Sequence, residues 1–322
     1  MNKAQIKRKK IFDAYSGQLH NLVEAGLYNV KLIYDQTYIC PICFNQFSEK
    51  GLDTSEKIFL TLEDAPPKSL GGKSNTLTCS KCNNEAGHAI DFHLVERLSD
   101  MDVTSFLPNT GSRATVTHKG ITVNGIVNVG DNGIITITHL ETTNNPVNLK
   151  DYINTTGKDD LPYLEFPTSR VDFRKFEIAL LKTAYILAFE KFGYSLILSN
   201  AFDIVREQIQ NPSEQIYPEG FWTRQSIFNR SNEGVYFITT KEFEGFQAIF
   251  ILDTGVQESG YGVYLPVSLK TTLEVIEKLK IQEPGFALSL VSYNHLDYLT
   301  DEKSQKQCAD FMKMKNSYNT TL

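Results

Sequence analysis

The chain has 322 residues, 41% of them hydrophobic and 22% charged, a make-up that excludes a disordered or fibrous protein and supplies enough apolar material for a core. A net charge of −6 argues against a protein that wraps nucleic acid over its whole surface, yet leaves room for a local basic patch. No apolar run is long enough to span a membrane, and the charged start lacks an apolar signal segment, so a cytoplasmic protein without membrane contact is expected.

The length suggests more than one domain. Lys3, Lys7, Arg8, Lys9 and Lys10 make the start basic, either an arm for phosphate contacts or a solvated terminus. Ile11, Tyr15, Leu19, Leu22 and Val23 then have helical spacing, with Gly26 as the C-cap, so residues 1–37 read as an N-terminal basic helix. Residues 38–100 hold the paired cysteines. Residues 101–170 read as an antiparallel β segment and linker. Its β-branched alternation over 113–140 predicts three or four strands, with Asn132-Gly133 a hairpin signal and Lys119-Gly120 and Asn124-Gly125 further turn candidates. The polar stretch 141–170, with Pro146, Pro162 and Pro167, reads as a loop.

Residues 171–322 read as a separate α+β domain. Phe173, Phe176, Leu180, Ala184, Leu187 and Phe192 form a broad apolar helical face that ends at Gly193. A helix near 201–210 stops at Asn211-Pro212. Strands follow near 234–240, 246–252 and 261–265, then a helix near 267–280 and a strand near 286–292. The last twenty residues read as a short helix with a loose tail. Tyr217, Phe221 and Trp222 with Arg224 could stack on a base or ligand, although such aromatics more often belong to a core.

Four of the five cysteines form two pairs, Cys40-Pro41-Ile42-Cys43 and Cys79-Ser80-Lys81-Cys82. Two intervening residues let both thiolates of a pair face one ion from a tight turn, and two pairs complete a tetrahedron. In a reducing compartment this spacing points to structural Zn²⁺ bound by Cys40, Cys43, Cys79 and Cys82, in preference to a redox pair. Cys308 stands alone as a free or half-buried thiol.

Between the pairs, LTLEDAPPKSLGGK (60–73) followed by LTCSKCNNEAGHAID (77–91) resembles bacterial HNH endonucleases of the zinc-knuckle type. Their pattern is an acidic-His pair, a proline, a Gly-Gly turn and a Cys-x-x-Cys-Asn helix start. The resemblance covers residues 40–98 and implies a ββα-metal module: a β-hairpin, then a helix, with a catalytic Mg²⁺ or Mn²⁺ between them. Glu63 would end the first strand and Gly71-Gly72 would lie in the connection. Asn84, His88 and Asp91 would share one helical face at i, i+4 and i+7. Glu63 would then meet Asn84 or His88 at the divalent cation, with Asn83 at another ligand position of the family; the choice between Asn83 and Asn84 stays open.

The resemblance implies a catalytic set of Glu63, Asp64 and His88. The family's base is the histidine after the acidic residue, and Asp64 stands there instead. Asp64 could serve as base or second ligand, His88 or His93 could supply the imidazole, or the site could bind without hydrolysis. Lys68, Lys73 and Lys81 are candidates for phosphate contacts. The expected fold class is α+β: an HNH-like zinc module, a small antiparallel sheet and a C-terminal α+β domain for specificity, dimerisation or partner docking. The expected function is a metal-dependent endonuclease acting on nucleic acid, DNA first, in defence or mobile-element biology. The alternative is a zinc-stabilised nucleic-acid-binding or complex-forming protein with a degenerate, non-hydrolytic site. The stretch LLKTAYILAFEKFGY resembles the C-terminal part of some uncharacterised bacterial HNH proteins and carries no function with it.

Overall fold

In the computed structural model, residues 2–157, 159–281, 286–293 and 295–317 are described. Helix α1 (Lys3–Glu24) opens the chain. It starts earlier than its apolar residues signal because Asn2 and Gln5 form a reciprocal capping box, at 2.9 and 2.7 Å. Phe12, Tyr15, Leu19 and Leu22 are buried. The helix ends through the Leu27 N–H bond to the Leu22 carbonyl, with Gly26 at φ +65.

Strands β1 (Tyr38–Ile39) and β2 (Gln46–Phe47) flank the first cysteine pair and bond to each other. Strands β3 (Leu60–Ala65) and β4 (Lys73–Cys79) form an antiparallel hairpin, paired from Leu60↔Cys79 to Ala65↔Lys73. The register shifts between Glu63 and Asp64, which leaves Asn75 as the extra residue of a bulge. In the connection, Gly71 has φ +87, and a Cβ on Gly72 would lie 1.5 Å from the Pro66 carbonyl oxygen. Only glycine fits where the chain passes so close to itself. Helix α2 (Ser80–Ala86) leads into a π turn at Gly87–Asp91 and then α3 (Phe92–Thr104).

Strands β5 (Gly111–His118), β6 (Ile121–Val129), β7 (Ile135–Thr138) and β8 (Tyr163–Glu165) form an antiparallel sheet in the order β7-β6-β5-β8. Lys119 and Gly120, both with positive φ, make the two-residue β5–β6 turn. Asn124-Gly125 is not a turn but lies inside β6, opposite Thr115 and Ala114. A Cβ at 125 would come within 2.9 Å of Ile137, so this glycine serves close packing. Residues 141–170 are not a plain loop: α4 (Pro146–Thr155) starts at Pro146, capped by Asn145. The proline marks a first helical turn, where its missing N–H costs nothing. Leu149 and Tyr152 of α4 pack with Val116 and Val123.

Helix α5 (Phe173–Phe192) is capped by Asp172 and buried around most of its circumference, including Ile178, Leu181, Tyr185 and Phe189. Short helices α6 (Tyr194–Ile197) and α7 (Asp203–Gln210) follow. Strands β9 (Trp222–Arg224), β10 (Gly234–Ile238), β11 (Gly245–Asp253), β12 (Glu258–Leu265) and β13 (Leu290–Ser292) make an antiparallel sheet ordered β13-β10-β11-β12-β9. Helices α8 (Leu269–Lys280) and α9 (Glu302–Ser317) complete the chain. The expected tail after 317 lies outside the described residues.

The chain divides into two compact units, Met1–Val95 with Asp172–Asp253 and Glu258–Leu322, and Glu96–Val171 with Thr254–Gln257. The cysteine module and the C-terminal half therefore share one unit, instead of forming separate domains. The cause is α5. A helix apolar on nearly all sides needs neighbours on all sides. Tyr185 donates to the Pro41 carbonyl at 2.6 Å, and Tyr194 to the Ile39 carbonyl at 2.7 Å. Tyr217, Phe221 and Trp222 also belong to this core, with Tyr217 and Phe221 buried and the Trp222 indole half-buried and bonded to Glu177 at 2.8 Å. A fragment of residues 171–322 is expected to stay unfolded, because the groups that cover α5 are missing. A well-dispersed amide NMR spectrum from that fragment would show the reverse.

Candidate metal centre and the hairpin–helix site

The first cysteine pair sits in the β1–β2 turn, closed by the Phe44 N–H to the Cys40 carbonyl at 2.9 Å, with Phe44 at φ 60. The second pair straddles the start of α2. Cys79 is its N-cap, and its Sγ accepts from the Cys82 N–H at 3.5 Å. The Cys79 N–H points in turn at Cys40 Sγ, at 3.4 Å. All four Sγ atoms lie within 4.8 Å of one another, and those of Cys43 and Cys79 are 3.7 Å apart. Thiolates about 2.3 Å from a tetrahedral zinc ion are about 3.8 Å from each other, so the cluster has the right size. The four cysteines can thus hold a metal ion. Burial pushes the Cys40 thiol up, whereas hydrogen bonds from the neighbouring thiols pull Cys43 down and Cys79 down to about 7. Thiols that compete for protons in this way are natural ligands for a shared cation.

The knuckle is braced from outside. The Gln210 amide donates to the Ile42 carbonyl at 3.1 Å, and the Arg206 guanidinium lies 3.8 Å over the Phe44 ring. Cys308 is buried elsewhere, its thiol pushed up to about 12 by burial.

The second constellation is built around Lys182 of α5, which is 3% exposed. Its ammonium lies 2.6 Å from Glu63 Oε1 and 2.7 Å from Asp91 Oδ2. Thr78 of β4 donates to Glu63 Oε2 at 2.6 Å. Burial opposes the charge on Lys182, but Glu63 and Asp91 outweigh it and hold the ammonium above its ordinary range. Burial raises the Asp91 carboxyl, whose Oδ1 is enclosed with no hydrogen-bond partner among the described residues. The group is a buried triad of one cation and two carboxylates.

The residues expected to converge on a divalent ion do not converge. Glu63 is 2% exposed and bound to Lys182, whereas His88 is exposed. The π turn explains the difference. One extra residue per turn shifts the helix face by about 100°. Asp91 therefore reaches Lys182 inside while His88, three residues earlier, faces out. Asn83 donates to the Leu62 carbonyl at 3.0 Å and pins the helix start to β3, and Asn84 is exposed. Asp64 is half-buried and accepts from Ser74. His93 uses Nδ1 to accept from the Asp172 N–H at 3.1 Å at the start of α5, and burial and Lys175 lower its pKa. Lys68, Lys73 and Lys81 are exposed, with Lys81 4.0 Å from Glu85. Lys182 and Thr78 were not among the expected site residues. The available signal was a lone lysine inside the apolar run IALLKTAYILAF, which calls for a buried counter-charge.

No protein-family model, no curated protein and no solved structure matches this chain.

Removing one partner of a buried ion pair typically costs about 3–5 kcal/mol. Lys182→Met is expected to destabilise the protein by about that much, read as a drop in urea midpoint; an unchanged midpoint would remove the triad as a structural element. Because the folded-state pKa of Lys182 lies above the ordinary 10.5, its contribution is full below that pH and is lost as pH rises through the folded value. Wild type should therefore lose stability above about pH 10.5 more steeply than Lys182→Met, a difference measurable by denaturant titration across the alkaline range.

Proposed function

We propose that this chain is a zinc-stabilised, HNH-like nucleic-acid-binding protein whose hairpin–helix site does not hydrolyse phosphodiesters. The observation that carries this reading is the Lys182 ammonium seated between Glu63 and Asp91. An HNH-type mechanism needs a divalent cation with an open face toward the scissile phosphate. Here the acidic residue that resemblance assigns to that cation is buried, and its charge is already met by an ammonium. Asp64, in place of the family's histidine, removes the imidazole base as well. Structural Zn²⁺ at Cys40, Cys43, Cys79 and Cys82 has closed coordination, leaves no position for substrate, and supplies folding energy to a segment with little core of its own.

Binding would run through the exposed Lys68 of the hairpin connection, Lys73 at the start of β4 and Lys81 at the helix start, which meet phosphates as point charges. An acidic protein can still do this, because counterion release depends on the local patch. Hydrolysis with Asp64 as the base is the second reading. It is favoured by one feature: Asp64 stands at the register shift, half-buried, where its carboxylate is not tied to Lys182.

One assay separates the two. Plasmid DNA and RNA are incubated with Mg²⁺, Mn²⁺ or EDTA, with wild type and Asp64→Ala. Wild type is expected to bind without cleaving, and affinity should fall steeply with salt. Reversing Lys68, Lys73 and Lys81 to glutamate should weaken binding at least about tenfold. Metal-dependent cleavage by wild type that disappears in Asp64→Ala would establish the second reading. Salt-insensitive binding, or none, would remove nucleic acid as the partner. Metal analysis of the purified chain should find one zinc ion, and Cys82→Ser should lose it together with most of the folded state.

A further inference from the structure

A cavity of about 330 Å³ opens beside the hairpin connection, between α5 and strands β10 and β11. That is within the ordinary range for small-molecule sites. Its lining is mixed: Leu187, Val235 and Ile249 are apolar, and Glu190, Asn75, Lys73 and Glu233 are among the polar residues. Asn75 is the extra residue of the β4 bulge, and its amide donates to Glu190 Oε1 at 2.7 Å. Glu190 Oε2 and the Asn75 carbonyl take no other bond among the described residues, so both remain as acceptors. Burial raises the Glu190 carboxyl, while Asn75, Lys73 and Lys7 act against it. Arg230 also lines the cavity, but Asp253 and Glu258 bind it at 2.8 and 2.7 Å. Lys73 is exposed and has no ion-pair partner among the described residues, which leaves its charge for a ligand.

We propose that this cavity binds a guanine mononucleotide, with Glu190 and Asn75 reading the base edge and Lys73 meeting the phosphate. The chemistry selects the base. An ionised carboxylate only accepts hydrogen bonds. Guanine presents two adjacent donors, N1–H and the N2 amine, whereas adenine and cytosine place an acceptor beside their amine. The aliphatic residues suit a flat ring, the Glu190 carboxylate suits a donor edge, and the exposed Lys73 cation suits an anionic group on the same ligand. The cavity shares Lys73 with the lysine patch proposed for polymeric nucleic acid, but Glu190 and Asn75 belong to the cavity alone, so Glu190→Gln and free mononucleotides test it independently.

Calorimetric titration of the full-length, zinc-loaded chain with GMP, AMP, guanosine and free arginine decides the matter. GMP is expected to bind, with AMP and guanosine each at least about tenfold weaker. Glu190→Gln should weaken GMP about ten- to a hundredfold, and Lys73→Ala should bring GMP down to the affinity of guanosine. No GMP binding at millimolar concentration, equal affinity for AMP, tighter binding of arginine, or an unchanged affinity in both variants would each overturn the proposal.

Discussion

Lys182 carries one positive charge into an interior that would reject it alone. A buried ammonium costs several kcal/mol unless counter-charges surround it. Glu63 from β3 and Asp91 from the π turn supply them, and Thr78 from β4 satisfies the other Glu63 oxygen. Three segments distant in sequence must therefore meet at one point on α5. Buried ion pairs add little net stability compared with apolar packing, but they tolerate few alternative positions. The triad thus fixes where the hairpin lies on the helix more than how tightly it holds. One residue beyond Thr78 comes Cys79, a member of the thiol cluster. The end of β4 is consequently held twice, by the lysine-bound Glu63 carboxylate on one side and by the thiol group on the other. A two-stranded hairpin is marginal by itself, and these two anchors replace the core it lacks.

The same arrangement sets the electrostatics of any metal chemistry. A divalent cation brought to about 4 Å from the Lys182 ammonium would meet a repulsion of roughly 8 kcal/mol at an effective dielectric constant near 20. Glu63 cannot leave the lysine to ligate an ion without exposing that buried charge. This competition supports the proposed reading of a binding protein without hydrolysis, which therefore does not rest on Asp64 alone.

Much of the secondary structure was legible because its causes are local. The apolar face from Phe173 to Phe192 with Asp172 before it, the Lys119-Gly120 and Asn132-Gly133 turns, and the two Cys-x-x-Cys pairs each carry their own short-range signal. Pro146 misled because the same residue breaks a helix inside and opens one at its first turn. Gly125 misled because a glycine in a strand resembles a turn until its neighbour, Ile137, is seen. The site was less legible. Placing Asn84, His88 and Asp91 on one face at i, i+4 and i+7 assumes a regular helix, and a π turn leaves no mark in composition. The partner of Glu63 lies 119 residues away, beyond the reach of any local pattern. The domain boundary failed for the same reason, since the apolar surface of α5 says that it needs cover but not which segments provide it.

The hairpin divides its roles by strand parity. Successive side chains of a strand face opposite ways, so Glu63 turns toward Lys182 while Asp64 turns to Ser74. The bulge adds Asn75 between Ser74 and Thr76, and this single residue reaches Glu190 at the cavity. Without the extra residue, β4 would continue its alternation and no side chain would be left over for α5 at that level. The connection beyond it must then turn back over Pro66, which only Gly72 allows. The acidic pair, the bulge and the double glycine are therefore one solution to one problem: a short hairpin must serve a buried charge, an exposed lysine rim and a polar cavity wall at once. The segment most suggestive of an enzyme in the sequence is also the segment with the most structural duties, which is why its residue types alone could not separate catalysis from architecture.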